Sequence, residues 1–365
     1  MQALAVFPAA RRVALIEHPE PTLVTPTDVR LRMLRVGVCG TDREICSFDY
    51  GTAPAGSEYL VLGHEALAEV VAVGAGVVGL SPGDRVVPMV RRPCAEPSCE
   101  PCRAGRQDFC TSGGYTERGI RSAHGFMTRE VVEDARWLVP LPALLAEVGV
   151  LVEPLTIAEK ALLEVRAMLD RMPWRGETLQ GLHALVLGGG PVGLLGAMAL
   201  RAAGCRVTLI SRQPATDVRA SLLESIGGRY VSVETDTITQ AMQRLGPVDV
   251  VYEAVGASAP AFEALGNLGP NGLFVFTGVP GRRGTPDLDS GVLMRSLVLG
   301  NQVLLGTVNA GRDAFEAAVV DLARFMERWP DAVRALITDR VPLERASEVM
   351  AARSGGIKTV VELAS

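Results

Sequence analysis

Four cysteines crowd one stretch of the chain: Cys94, Cys99, Cys102 and Cys110, in the pattern C-x4-C-x2-C-x7-C. Four thiolates on one short loop form a closed tetrahedral zinc site, with no position left for substrate. Pro93, Pro97, Pro101 and Gly105 suit a loop folded around an ion. Such a site contributes on the order of 10 kcal/mol to local folding. Its role is structural, and the alternative is four independent buried thiols.

A second group is dispersed: Cys39 in Cys39-Gly40-Thr41-Asp42, His64 in Gly63-His64-Glu65, and Glu153 in Val152-Glu153-Pro154-Leu155. One thiolate, one neutral imidazole and one carboxylate neutralise a zinc ion and leave its fourth position open, as catalysis requires. Pro154 fits the first turn of a helix, which sets Glu153 at its lip. Taken singly, each residue has a plain alternative. Cys39 also reads as a buried thiol, His64 as a hydrogen-bonded core histidine, and Glu153 as a helix-start carboxylate.

The third motif is Gly188-Gly189-Gly190-Pro191-Val192-Gly193, preceded by the apolar run Leu185-Val186-Leu187. Gly188, Gly190 and Gly193 have the G-x-G-x-x-G spacing of a dinucleotide fingerprint. The first glycine permits a tight turn, the second lets the backbone approach pyrophosphate, and the third lets helix and strand pack closely. Pro191 and Val192 open the helix, whose free N–H groups face the anion. The next strand ends in Ser211-Arg212-Gln213. An NAD site usually carries Asp or Glu there. Here Arg212, helped by Ser211 and Gln213, suits the 2′-phosphate of NADP, so NADP is preferred and NAD remains possible. The alternative for Arg212 is a solvated surface charge.

These residues need elements to position them. Val29–Val38, Leu67–Val73 and Arg85–Val87 read as strands separated by Gly/Pro turns. From His183 onward, short apolar runs alternate with helical patterns. Strands are expected at Ala184–Leu187, Arg206–Ile210, Arg229–Val231, Val248–Tyr252, Gly272–Phe276 and Gln302–Gly306. Helices are expected at Val192–Ala203, Val218–Ile226 and Thr237–Leu245. That order is an α/β doubly wound parallel sheet. A long helix over Arg312–Arg328, another near Glu344–Ala352 and a last strand, Ile357–Glu362, complete the chain.

The whole chain sets limits on function. At 365 residues, two domains are expected. A net charge of −5, spread along the sequence, lacks the basic footprint of a nucleic-acid binder. The apolar stretch from Ala184 to Leu200 is broken by Gly188-Gly189-Gly190-Pro191 and is too short for a bilayer span. The opening MQALAVFPAARR has no secretory pattern, so a reducing cytoplasm is expected.

Taken together, Cys39-Gly40-Thr41-Asp42, Gly63-His64-Glu65, Gly79-x-x-Pro82-Gly83-Asp84-Arg85-Val86, the four-cysteine lobe and the glycine fingerprint resemble the zinc-containing medium-chain dehydrogenases. Arg91-Arg92-Pro93, Gly105-Arg106-Gln107-Asp108, Glu117-Arg118-Gly119-Ile120 and Glu153-Pro154-Leu155 are most similar to the glucose dehydrogenase branch. The resemblance implies a GroES-like β-rich catalytic domain, residues 1–165 and 309–365, and a Rossmann domain, residues 166–308. It implies two zinc ions per chain. The catalytic one is held by Cys39, His64 and Glu65, with Glu153 near both metal and sugar. Thr41, Glu117, Glu153 and Asn309 would contact the substrate. Thr277, Gly278, Val279, Thr307, Val308, Asn309 and Lys358 would line the cofactor. Two departures stand out: Ile157 replaces an acidic residue found in some sugar dehydrogenases, and the first cysteine gap is wider than the commoner two residues.

The expected reaction is oxidation of a glucose-like aldose at C1 to a lactone, with reduction of NADP. Thr41 relays the departing proton. Glu117 also reads as an exposed loop carboxylate, Asn309 as a cap for the helix after Gly311, and Lys358 as an exposed strand charge. The neighbouring alternative is a zinc-dependent polyol or secondary-alcohol dehydrogenase; a more distant one is a non-catalytic NADP-binding protein. A homo-oligomer, dimer or tetramer, is expected, with the apolar strand Gln302–Gly306 available for pairing.

Overall fold

The computed structural model of the chain describes residues 1–174, 178–281, 288–351 and 355–363. It separates into two compact units. One comprises Met1–Glu153, Asn309–Met326 and Leu336–Ser365; the other comprises Pro154–Val308 and Glu327–Ala335.

The first unit is β-rich. Its main sheet runs, edge to edge, through Leu138–Pro140, Arg85–Pro88, Glu65–Val73, Asp28–Gly37, Lys358–Glu362 and Ile337–Pro342, and Glu130–Asp134 pairs alongside Asp28–Gly37. The long strand Asp28–Gly37 is the organiser. It alternates buried Leu31 and Met33 with exposed Arg32, the pattern of a sheet covered on one face. Its far end brings Gly37 opposite both Glu65 and Val360, which joins strands from the two ends of the chain. The hairpin Gln2–Phe7/Arg12–Glu17 forms a smaller sheet with Leu60–Val61.

The second unit carries a parallel sheet in the order Arg229–Ser232, Arg206–Ser211, His183–Leu187, Val250–Glu253, Leu273–Phe276, Val303–Gly306, six strands among the described residues. Strand order reverses about His183–Leu187, and the carboxyl ends on either side of that point are where such sheets bind ligands. The core packs Leu185, Leu187, Val251, Leu265 and Phe274 between sheet and helices. Burying each such side chain stabilises the fold by roughly 1.5–3 kcal/mol.

The expected strands and crossover helices of this unit are present, with ends moved by two residues or fewer. The helices run over Pro191–Ala202, Val218–Ser225 and Ile238–Leu245. The helix expected near Glu344–Ala352 is a short 3-10 turn, Leu343–Arg345, followed by Ala346–Ala351; Ala352 lies outside the described residues. Among the described residues, no helix is long and apolar enough to cross a membrane.

Candidate metal and cofactor sites

Cys39 precedes the helix Gly40–Cys46, and its backbone N–H donates to Asp42 Oδ2 at 2.8 Å. This local bond fixes the loop that presents the thiol. His64 follows Gly63, whose φ of +89° suits glycine and whose missing Cβ makes room for Met127 and Val36. The turn therefore delivers His64 and Glu65 to the start of the strand Glu65–Val73. Cys39, His64 and Glu65 thereby come together, with one ligand atom from each within 4.8 Å of the others.

Charge in this cluster is arranged in two tiers. Buried Asp42 places Oδ1 3.5 Å from His64 Nδ1. Burial alone would lower the His64 pKa, but Asp42 lifts it well above the usual histidine value. Burial likewise opposes ionisation of Asp42, yet His64 keeps its pKa below the ordinary carboxylate value. An Asp beside Nδ1 orients the ring and leaves Nε2 for a metal, and metal binding then displaces the imidazole proton.

Glu65 pairs with Lys358, whose ammonium also donates to the Val38 carbonyl at 3.1 Å. Burial would depress Lys358, but Glu65 and Cys39 turn its pKa upward. Gly37 is required beside this pair, since a Cβ there would meet Glu65 Oε2 at 2.1 Å and Lys358 Cε at 2.8 Å. Lys358 thus lies fully inside, on the metal cluster, and is no exposed strand charge.

Thr41 Oγ1 lies 3.8 Å from Cys39 Sγ. Glu153, the second residue of the helix Val152–Leu169, stands outside the three-ligand group but within its electrostatic reach. Burial pushes its pKa up to about 7; Glu65 adds to the rise, while His64 and Lys358 oppose it. Among the described residues, the carboxylate gathered with Cys39 and His64 is that of Glu65.

Glu117 and Asn309 do meet. Glu117, buried on the strand Thr116–Arg118, accepts at Oε1 from Asn309 Nδ2 at 2.9 Å and from Arg91 Nε at 3.0 Å. Arg91 also donates to the Asp108 carbonyl and lies over the Tyr115 ring, 3.8 Å from its centroid. Glu117 is no exposed loop carboxylate. Asn309, at φ +58°, spends its amide on Glu117 and accepts from Ala310 N, so it does not cap the helix Arg312–Arg328.

The four sulfurs of Cys94, Cys99, Cys102 and Cys110 also gather within 4.8 Å of one another. The Cys94 backbone N–H donates to Cys102 Sγ at 3.5 Å. Backbone N–H groups of Cys102 and Ser112 bring the Cys99 pKa down to about 5, so a thiolate is favoured there before any metal arrives. Both clusters fit zinc by donor type. The lobe offers four sulfurs, and the dispersed cluster offers three ligands with a vacancy.

On the second unit, Gly188 adopts φ +107°, and a Cβ on Gly193 would strike Gly188 O at 2.0 Å. Gly190 caps the helix with open space beside its Cα. Ser211 hydrogen-bonds Gln213, and Arg212 is exposed at the end of its strand. Thr277 and Thr307 follow the strands Leu273–Phe276 and Val303–Gly306, and Thr307 N donates to Phe276 O. The Val308 carbonyl accepts from Lys160. Thr277, Gly278, Val279, Thr307 and Val308 therefore lie at or just beyond the carboxyl edge of the sheet. Sequence reasoning missed Asp42, Arg91, Glu253 and Arg219, the last donating to Gly189 O at 2.9 Å. Only Asp42 and Arg91 had a sequence signal, Asp42 by its place in Cys39-Gly40-Thr41-Asp42 and Arg91 by its place in Arg91-Arg92-Pro93.

Residues 146–363 match the model of the glucose dehydrogenase C-terminus, and residues 25–143 match the alcohol dehydrogenase GroES-like domain. The chain is 36% identical to a glucose 1-dehydrogenase of Methanocella arvoryzae and 40% identical to one of Thermoproteus tenax. Each alignment covers 100% of this chain and 99% of the relative. The Haloferax mediterranei glucose dehydrogenase, solved in complex with NADP, Zn and gluconolactone, superimposes with a TM-score of 0.88 at 33% identity, covering 100% of both chains. The chain belongs to the zinc-containing medium-chain dehydrogenases, in their glucose dehydrogenase branch.

Proposed function

We propose that the chain is a glucose 1-dehydrogenase, oxidising glucose or a closely similar aldose at C1 to the lactone with NADP as acceptor. The observation that carries this reading is the convergence of Cys39, His64 and Glu65 from separate segments onto one small volume. Zinc bound there would supply Lewis acidity, lowering the pKa of a coordinated hydroxyl towards neutrality. The dinucleotide supplies the hydride acceptor.

The chain's own residues do the rest. Cys39, His64 and Glu65 would hold the ion, and Asp42 orients His64. Thr41, set beside Cys39, accepts the departing hydroxyl proton and passes it outward. Glu117 and Asn309 form a preorganised polar pair for sugar hydroxyls, steadied by Arg91. Glu153, with its pKa near neutrality, adds a carboxyl able to donate or accept a hydrogen bond there. A second zinc in the four-cysteine lobe is structural. Gly188, Gly190, Pro191, Val192 and Gly193 receive pyrophosphate, and Ser211, Arg212 and Gln213 receive the 2′-phosphate. Thr277, Gly278, Val279, Thr307, Val308, Asn309 and Lys358 complete the cofactor's surroundings. A homo-oligomer pairs through the edge strand Val303–Gly306, where Leu304 is exposed.

Initial rates with NADP and a panel of aldoses, polyols and simple alcohols test the assignment. Turnover concentrated on glucose or a near epimer is expected. Efficient oxidation of 2,3-butanediol or sorbitol with poor use of every aldose would overturn it.

A further inference from the structure

Glu253 is a buried carboxylate outside both metal clusters. Glu253 ends the strand Val250–Glu253 at the reversal point of the parallel sheet and is 1% exposed. Its Oε1 accepts from the backbone N–H groups of Val255 at 2.7 Å and Gly256 at 2.8 Å. Its Oε2 accepts from Gly278 N at 3.3 Å. Its main-chain carbonyl takes two more bonds, from Thr277 N at 3.0 Å and Thr277 Oγ1 at 2.7 Å. One residue thus ties its own following loop, 254–257, to the loop after the next strand, 277–279.

The two loops touch backbone to backbone. A Cβ on Gly278 would lie 2.1 Å from Gly256 N, and one on Gly256 would lie 2.8 Å from Val279 O. The first loop also backs the glycine fingerprint, since a Cβ on Gly188 would meet Val255 Cγ2 at 3.0 Å. Three loops at the carboxyl edge are therefore one packed layer, and Glu253 is the side chain that bonds two of them together.

In a doubly wound sheet, each half receives one mononucleotide of a dinucleotide. The glycine fingerprint and the end of Arg206–Ser211 serve the adenosine half. The loops after Val250–Glu253 and Leu273–Phe276 are left for the nicotinamide half. We propose that Glu253 is a positioning residue for the nicotinamide half of the cofactor, holding loops 254–257 and 277–279 in the arrangement that receives it. This rests on the dinucleotide reading given above.

Only a carboxylate meets the requirement. Both of its oxygens accept, so N–H groups from two loops are satisfied at once. A glutamine of the same size turns one acceptor into a donor that faces an N–H, and one loop is released.

The test is calorimetric binding of two ligands, NADP+ and adenosine 2′,5′-bisphosphate, to the full-length wild type and Glu253→Gln. Losing one buried bond to a charged group predicts that the Kd for NADP+ rises about tenfold. The bisphosphate, which lacks the nicotinamide half, should bind the variant within about twofold of wild type. An unchanged NADP+ affinity, or equal weakening of both ligands, would overturn the proposal, the second result marking a merely structural role. A wild type that binds neither ligand would instead remove the cofactor reading and the proposal with it. If Glu253→Gln does not fold, amide exchange in the wild type decides. Strong protection of Val255, Gly256 and Gly278 supports the proposal, and loop-like exchange at all three overturns it.

Discussion

Asn309 donates its side-chain amide to Glu117 at 2.9 Å although 192 residues separate them along the chain. The bond joins the segment that re-enters the first unit to the buried middle residue of the strand Thr116–Arg118. It leaves a carboxylate with a fixed direction, held at one oxygen by an asparagine and an arginine. That arrangement suits recognition of a neutral, hydroxyl-rich molecule. A flexible acid would have to be ordered each time substrate bound.

Removing the charge from this pair should affect the sugar and leave the cofactor alone. Glu117→Gln is expected to raise KM for glucose about tenfold, since a hydrogen bond to a charged group contributes about 1.5–3 kcal/mol. KM for NADP should stay within a factor of about two. Steady-state kinetics with each substrate varied in turn checks both. Arg91→Met leaves Glu117 buried without its cation and should destabilise the protein by roughly 3–5 kcal/mol, read from urea unfolding.

The four-cysteine lobe predicts a different outcome. Cys102→Ser removes one of four ligands from a closed site, so bound zinc should fall from about two ions per chain to about one. Thermal stability should fall with it, because metal binding and local folding are coupled there. Metal analysis together with calorimetry separates this from a change at Cys39.

Arg212 is the residue proposed to set the choice of dinucleotide. Arg212→Ala is expected to weaken NADP about ten- to a hundredfold and to leave NAD nearly unchanged, as loss of charge-assisted bonds to a 2′-phosphate requires. Parallel kcat/KM values for the two cofactors measure it. Equal losses for both would contradict the 2′-phosphate role, and no loss with either would show that Arg212 is only a surface charge.

A pH response is built in where His124 packs on the segment Tyr59–Val61. His124 stacks on Tyr59 and accepts at Nδ1 from the Val61 backbone N–H at 3.2 Å. Burial chiefly, then the charges of His18 and Arg118, lower its pKa from 6.5 to about 4. The folded state therefore prefers the neutral ring. Its contribution to stability is complete above the unfolded value of 6.5 and is lost as pH falls through about 4. The loss is on the order of 1–2 kcal/mol after discounting for the half-exposed ring. His124→Gln keeps an acceptor for Val61 but does not titrate, so its Tm should fall less than that of wild type between pH 6.5 and 4. Parallel acid limbs would contradict this.

The sequence specified the second unit well because its strands are short apolar runs between glycine turns, and buried parallel strands read as such. The four-cysteine lobe was equally plain, its ligands lying close together in sequence. Side-chain partnerships were not. Arg91 finds Glu117, and Glu253 finds Gly278, only after the chain has folded, and no local periodicity encodes either pairing. Glu153 shows the same limit: spacing alone offered it as the third ligand, and Glu65 entered only through the family resemblance, while the fold gathers Glu65 with Cys39 and His64. The first hairpin, Gln2–Phe7 with Arg12–Glu17, was missed because its second strand is half-buried along its length and lacks a clean alternation.

Cys39, His64 and Glu65 are proposed to hold a catalytic ion distinct from that of the lobe. The most direct test of this is the zinc content of His64→Ala beside wild type, both purified without chelator. About two ions per wild-type chain and about one in the variant are expected, from one closed and one open site. Two ions retained in His64→Ala would contradict it.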